Sequence, residues 1–433
     1  MDLFVYREGQ LFCEAVPVAD LAEEFGTPLY VYSAGTLTDH FDKLTHAFAE
    51  LDPLICFSVK SCSNINICRL LADRGAGFDV VSGGELFRVI AAGGDPAKCC
   101  FAGVAKTDDE IRYALNSGLS IFNIESEQEL ENLRRLAEET GTTARAALRV
   151  NPDVDPKTHR YITTGKKENK FGVDMERAEK LFCRYGAPQD MSPVRLCGIH
   201  LHIGSQITAV KPYTEAITKG LGLINRLAKL GIKIDVFDFG GGFGANYEAD
   251  EALDAEEFAR HIVPMLKGKG FKIVMEPGRF ISANAGILLT RIQYIKEAGA
   301  KRFLLVDAGM NDLLRPALYG AYHHIWPVAP GGEFVSAQRS FDEKFPGTEM
   351  VDVAGPICES TDILGHDRHL PPCRPGDLLA IFTAGAYGMA MSSDYNSHPR
   401  PAEVLVEGTA ARLIRRRQTY EDLIQQEQDL LDA

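Results

Sequence analysis

Along the first two thirds of the chain, short apolar runs rich in β-prone residues recur, each ending at a glycine or polar residue and followed by a stretch of helical period. The runs are ICFSVK, FDVVSGG, CCFAG, SIFNIE, AALRVN, GIHLHIGS, VFDFGGG and KIVMEPG. Their continuous apolar character predicts strands covered on both faces, and parallel neighbours need a crossover about the length of a helix. Eight such units predict an α/β fold with a closed (β/α)8 TIM-type barrel. The first four run ends, Lys60, Ser82, Gly103 and Glu125, recur every 21 or 22 residues, one strand-helix unit each. Later spacings are longer. Between Val150 and Gly204 stands HRYITTGKKENKFGVD, whose Gly, Thr and Lys content predicts a loop over the barrel mouth or simply an exposed one.

After about Ala283 the helical alternation fades and strand-like runs take over: ILLTRIQYI, RFLLVDAG, EMVDVAGPI, DLLAIFTAG and AEVLVEG. They predict a second, mostly β domain, and the opening LFVYREGQLFCEAV reads as a hairpin belonging to it. The expected division is a barrel over 27–283, a β-rich domain from 1–26 with 284–420, and a polar helical tail over 421–433.

Composition narrows the classes. The 433 residues are 45% hydrophobic and carry a net charge of −14, which argues against nucleic acid and against an anionic membrane surface. The basic cluster Arg415 to Arg417 is too short to offset that charge and reads as a solvated face. Neither a secretory h-region nor a membrane-length apolar run is present, so a soluble, untargeted protein is expected. Ten cysteines sit mostly in apolar stretches without metal-type CxxC pairs, which predicts reduced thiols in a cytoplasm and no metal site.

Candidate chemistry gathers at the strand ends, where a barrel presents it. Lys60 closes an apolar run, where a lysine is costly to desolvate unless it is ion-paired, snorkelling or joined as an imine to a cofactor aldehyde. Gly240 to Gly242 end the seventh run and Gly278 follows the eighth, where barrels commonly hold phosphate; a glycine run is also the mark of a tight turn. Glu276 suits a protonated pyridine nitrogen, or an ion pair with Arg279. His202 could lie flat on a cofactor ring or be an ordinary buried, hydrogen-bonded histidine.

Eight segments in order resemble the fold-type III pyridoxal phosphate (PLP) decarboxylases and, within them, the diaminopimelate decarboxylases: GAGFDVVSGGEL, YITTGKKENKFGVD, HLHIGSQ, DFGGGFG, EPGR, DAGMNDLLRPALYGAYHHIWPV, GPICESTD and AGAYGMAMSSDYNSHPRPAEVL. The resemblance spans nearly the whole chain and implies a PLP barrel with a β domain in a homodimer of shared active sites. It makes Lys60 the lysine that bonds the cofactor, although FSVKSC departs from the more usual YAxKAN. It makes His202 the ring-stacking histidine, Ser205, Gly241, Gly242 and Gly278 the phosphate site, and Glu276 the partner of the pyridine nitrogen. Asp79 and Arg149 match supporting positions near the lysine. Arg279, Arg315, Tyr319 and Glu359 match residues that hold the distal end of the substrate, Tyr387 one that touches substrate and cofactor, and Cys358 the proton donor supplied across the dimer interface.

The implied reaction converts meso-2,6-diaminopimelate to L-lysine and CO2, the last step of lysine biosynthesis. That substrate carries a full amino-acid group at its far end, for which two guanidinium groups and a carboxylate offer planar carboxylate recognition and an ammonium counter-ion. Lysine or ornithine would leave an arginine unpaired, the strong form of rejection. Three alternatives share parts of the pattern: a sister decarboxylase for another basic or carrier-bound amino acid, a racemase on the same barrel, and a catalytically dead binding protein. The distal-end residues favour diaminopimelate over the first, RPALYG and CESTD belong to the decarboxylase pattern rather than the second, and Lys60 and Cys358 are both in place against the third.

Overall fold

The structure is a computed structural model that describes residues 2–155, 170–187, 191–248, 252–335, 339–340 and 345–431. Most of HRYITTGKKENKFGVD therefore lies outside the described residues. Thr38–Ala245 with Ala252–Phe280 form one compact unit, and Met1–Leu37 with Asn246–Glu251 and Ile281–Ala433 form another.

The first unit is the barrel. Its strands are Leu54–Ser58, Gly77–Val80, Cys99–Phe101, Ile121–Ile124, Ala144–Asn151, Val194–His200, Val236–Asp238 and Lys272–Met275. All pair in parallel in chain order, and Val274 with Met275 pairs back onto Leu54 with Ile55 to close the ring. Each strand overlaps one of the eight apolar runs; several begin before theirs, the fifth and sixth strands furthest, at Ala144 and Val194. Its interior is filled by side chains: Cys56, Cys100, Ile121, Ala147, Val236 and Val274 form a buried cluster. Several helices that follow the strands start at side-chain caps, among them Ser82 accepting from Glu85 N–H, Thr107 in a capping box with Glu110, and Ser126 accepting from Glu129 N–H. Such caps turn the chain out of the sheet soon after these strands end.

The second unit is mostly β. Its main sheet runs, in spatial order, Ile363–Leu370, Glu349–Ala354, Lys301–Val306, Gly286–Ala298, Leu29–Ser33, Ala402–Glu407 and Ala410–Arg415. Leu378–Ile381 pairs with Gly286–Ala298 and with Ile325–Pro327. The N-terminal hairpin Phe4–Arg7 with Gln10–Cys13 belongs to this unit. So does the stretch 27–37, expected in the barrel. The reason is Leu29–Ser33: all five residues are buried, antiparallel to Gly286–Ala298 on one side and parallel to Ala402–Glu407 on the other. The tail expected to be helical over 421–433 holds one short helix, Tyr420–Ile424, capped by Thr419, and then a single turn at Gln428–Leu430.

Candidate active site

The first barrel strand ends at Ser58 and passes into one 3-10 turn, Val59–Ser61, that carries Lys60. Lys60 is ion-paired with Asp79 of the second strand, and its Nζ stands 3.4 Å from Ser58 Oγ. Ser58 Oγ also donates to Asp79 Oδ2 at 2.7 Å. The Asp79 side chain is fully buried while that of Lys60 is 33% exposed. Burial and the nearby Glu276 push the Asp79 carboxyl up, against the pull of Lys60. The amine is thus tethered on one side and reachable on the other, which suits bond formation with an aldehyde.

Glu276 follows the eighth strand and is buried. Its Oε2 lies 3.2 Å from His200 Nε2, while its Oε1 accepts from Asn123 Nδ2 at 2.9 Å and from Cys100 Sγ at 3.5 Å. Burial by itself would raise this carboxyl; His200 above all, then Lys60, overcome it and hold Glu276 well below the usual carboxylate range. Burial likewise works to lower His200, and Glu276 with Asp238 prevails and raises it. Asp238, which accepts from Gly240 N–H at 2.8 Å, goes the other way: burial and the Glu276 charge push it well above its ordinary value. Of these two buried carboxyls, Glu276 is the one whose charged form its surroundings favour. The sequence-level alternative, an ion pair of Glu276 with Arg279, gives way to this His200 pair. Arg279 donates instead to Ser205 Oγ, at 3.1 Å from Nη2.

The glycines show how closely backbone must approach here. A Cβ on Gly241 would stand 1.9 Å from the Glu276 carbonyl oxygen, and one on Gly242, whose φ is +97°, would stand 2.4 Å from that of Gly204. At Gly278 a Cβ would press on Ser58 and Ser61 at 2.9 and 3.1 Å. The loops after the sixth, seventh and eighth strands therefore form a cradle of bare backbone with Ser205 and Arg279, suited to a phosphate. His202 is half-buried, and burial with the Arg149 charge pushes it well below its ordinary value, so its ring is neutral. Arg149 itself is buried, bonded through Nη1 to Glu125 Oε1 at 2.8 Å and lying over the Phe171 ring at 4.5 Å. Glu125 Oε2 accepts from Gly172 N–H at 2.7 Å, which holds the chain at Gly172 to the end of the fourth strand.

The other expected residues lie in the β-rich unit. Arg315 is buried at the start of the short helix Arg315–Tyr319, and Tyr319 is half-buried at its end. Cys358 and Glu359 are exposed; Cys358 N–H donates to Asn396 Oδ1 at 2.9 Å, and Glu359 is bonded to Tyr395. Tyr387 adopts a left-handed φ of +56°, a costly conformation for a bulky residue that is concentrated at functional sites.

His200, Asn123, Asp238 and Glu125 have no site role in the sequence reading, where Glu125 figures only as the end of a run. For His200 a signal exists: it precedes His202 by two, the spacing that puts two side chains on one side of an extended chain, and the two rings lie 6.4 Å apart just where the strand ends.

A barrel with a tethered lysine at its rim, a glycine cradle after its last strands and a buried carboxylate below fits PLP, and defines the class as a PLP-dependent enzyme of the barrel type. Residues 34–283 match the model of the pyridoxal-dependent decarboxylases, pyridoxal binding domain. The diaminopimelate decarboxylase of Pseudomonas aeruginosa is 47% identical, over 98% of both chains. That of Neisseria meningitidis serogroup A is 48% identical over 95% of this chain and 97% of the relative. Among solved structures, diaminopimelate decarboxylase from Helicobacter pylori complexed with L-lysine is 39% identical with a TM-score of 0.88, over 95% of this chain and 100% of the other. The chain belongs to the pyridoxal-dependent decarboxylases and, within them, to the family of the diaminopimelate decarboxylases.

Proposed function

We propose that this chain removes CO2 from meso-2,6-diaminopimelate to give L-lysine, the last step of lysine biosynthesis, with PLP as cofactor. The observation that carries the reading is Glu276: a buried carboxylate held ionised by His200, at the foot of a rim that also carries Lys60 and the glycine cradle. When bound, PLP supplies a conjugated ring that accepts the electrons of the breaking bond. Lys60 would hold the aldehyde end, Ser205, Gly241, Gly242 and Gly278 with Arg279 the phosphate, and Glu276 the pyridine nitrogen. Asp79 and Arg149 brace the rim, and the neutral His202 offers a flat face to the ring.

Arg279, Arg315, Tyr319 and Glu359 would receive the distal amino-acid group of the substrate, and Tyr387 would touch substrate and cofactor. Holding that far end turns the carboxylate to be lost perpendicular to the ring, where its bonding electrons overlap the conjugated system. Cys358 would deliver the proton that replaces CO2. Its exposure, with that of Glu359, in a single chain supports a homodimer in which each subunit lends these residues to its partner's site. No helix among the described residues is long and apolar enough to cross a membrane. The cysteines are mostly buried and form no disulfide, which agrees with the reducing cytoplasm as its place of work.

The test is to incubate the purified protein with meso-diaminopimelate, with and without PLP, and to measure CO2 and L-lysine against lysine, ornithine and arginine as rival substrates. Stoichiometric L-lysine and CO2, dependent on PLP, is expected. CO2 from another amino acid and none from diaminopimelate would overturn the assignment.

A further inference from the structure

Arg315 does not stand alone in the β-rich unit. Its Nη1 lies 2.7 Å from His323 Nε2, and its guanidinium lies over the Tyr247 ring with 4.5 Å from Cζ to the centroid. The Tyr247 and His323 rings meet edge to face, 5.3 Å apart at 89°. On its other side His323 Nδ1 is 2.9 Å from the carbonyl oxygen of Phe382. Arg315 and His323 are both buried, His323 completely.

These two contacts fix the state of the ring without recourse to titration. A carbonyl oxygen can only accept, so Nδ1 carries the hydrogen and donates it to Phe382. A guanidinium can only donate and keeps its charge, so Nε2 must present a lone pair. The imidazole is thereby neutral and in one tautomer. Were Nε2 protonated, the bond to Arg315 would vanish and two cations would face each other in a buried site.

We infer that His323 is the positioning residue for Arg315: neutral and anchored by the Phe382 carbonyl, it presents its Nε2 lone pair to the guanidinium and sets the direction in which the remaining N–H groups point. The inference rests on the proposed role of Arg315 in holding the distal end of the substrate. Bidentate recognition of a carboxylate depends on the plane of the guanidinium fork, not on its charge alone. A tethered Nη1 fixes that plane before substrate arrives, so the ordering cost of the arginine side chain is met by the fold rather than by binding. Tyr247, stacked under the guanidinium and against the imidazole edge, closes the third side.

The two amide isosteres of histidine separate this role from simple packing. His323→Asn places its amide near the Nδ1 end, keeping a donor for Phe382 and losing the acceptor for Arg315. His323→Gln reaches the Nε2 end and restores that acceptor. Measured on the PLP-loaded enzyme, His323→Asn should raise KM for meso-diaminopimelate by about tenfold to a hundredfold, the worth of one hydrogen bond to a charged group, with the visible band of bound PLP unchanged. His323→Gln should bring KM back to within about threefold of the parent. Adding His323→Asn to Arg315→Lys should cost little beyond Arg315→Lys alone, because the two residues act as a unit. If His323→Asn fails to accumulate, His323→Leu takes its place against the same Gln comparison. Equal losses in the Asn and Gln variants would reduce His323 to packing and overturn the inference. A normal KM in His323→Asn with a raised one in Arg315→Lys would overturn it while leaving the substrate assignment standing. A normal KM in Arg315→Lys would remove Arg315 from the substrate site and the inference with it.

Discussion

His200 and Glu276 carry opposite shifts that follow from one contact, and the contact has a measurable pH signature. Glu276 is lowered, so its contribution to stability is present above the ordinary carboxylate range and is lost as pH falls through the lowered folded-state value. His200 is raised, so its contribution is complete below the ordinary imidazole range and is lost as pH rises through the raised folded-state value. Their joint effect is therefore greatest between the ordinary values of the two groups, about pH 4.3 and about pH 6.5. His200→Leu leaves a buried carboxylate without its counter-ion and should destabilise the apoprotein by about 3–5 kcal/mol in that window. Apparent unfolding midpoints of parent and variant, followed from pH 5 to about pH 9, should converge as the solution becomes alkaline. A gap that stays constant across the range would mean that the pair is not ionised. At Arg315 the relevant readout is kinetic: Arg315→Lys keeps the charge and loses the fork, and kcat/KM for meso-diaminopimelate should fall by about 1.5–3 kcal/mol with the PLP absorbance intact. An unaffected kcat/KM would contradict its place at the distal end of the substrate.

The cradle belongs to no single residue, because each glycine admits the backbone of a different loop. Gly241 is the most crowded: its absent Cβ makes room for the Glu276 carbonyl, and Tyr213 OH donates to its own carbonyl oxygen at 2.9 Å. Gly241→Ala should push the ends of the seventh and eighth strands apart, costing about 1–3 kcal/mol of stability. The same displacement should weaken PLP binding about tenfold or more, read by titrating the apoprotein and following the visible band. Unchanged affinity and midpoint would show that the loop relaxes freely and that the close approach has no bearing on the cofactor. The glycine run is legible in sequence because backbone that must touch backbone has one residue to use. The eight barrel strands are legible for a related reason, since burial on both faces writes them as unbroken apolar runs. LYVYS at Leu29–Ser33 is the same kind of run, and its pattern says that it is covered on both sides without saying by which sheet. ILGHDRHL, the edge strand Ile363–Leu370, carries two histidines, an aspartate and an arginine, and shows no apolar alternation to read. His200 escapes for want of a visible partner: a histidine on an inward strand position reads as ordinary core until Glu276, 76 residues away, is brought against it.

At the scale of the assembled molecule, the expectation is that no single chain completes the chemistry. Lys60 stands on the barrel rim, whereas Cys358 lies on the surface of the β-rich unit, in the segment just before Glu359, and is one of two exposed cysteines among ten. The other eight cysteines are buried, where a thiol is an inert, apolar side chain. An exposed thiol clasped at its backbone by Asn396 is instead available to a second chain. A thiol also suits the task, because it carries a proton that it can yield to a carbanion. Lys60→Ala should abolish turnover, and Cys358→Ala should slow protonation of the product while leaving CO2 release partly intact. In a twofold dimer with shared sites, mixing the two variants assembles one site with both lesions and one with neither. Each mixed dimer should then recover about half the activity of the parent dimer, and an equimolar, fully exchanged mixture about a quarter, since about half of its dimers are mixed. The activity should rise with the rate of subunit exchange, measured in parallel with differently labelled chains. If mixed dimers form and activity remains at the level of the separate variants, then Cys358 serves the site of its own chain or none, and the exposed thiol has another explanation.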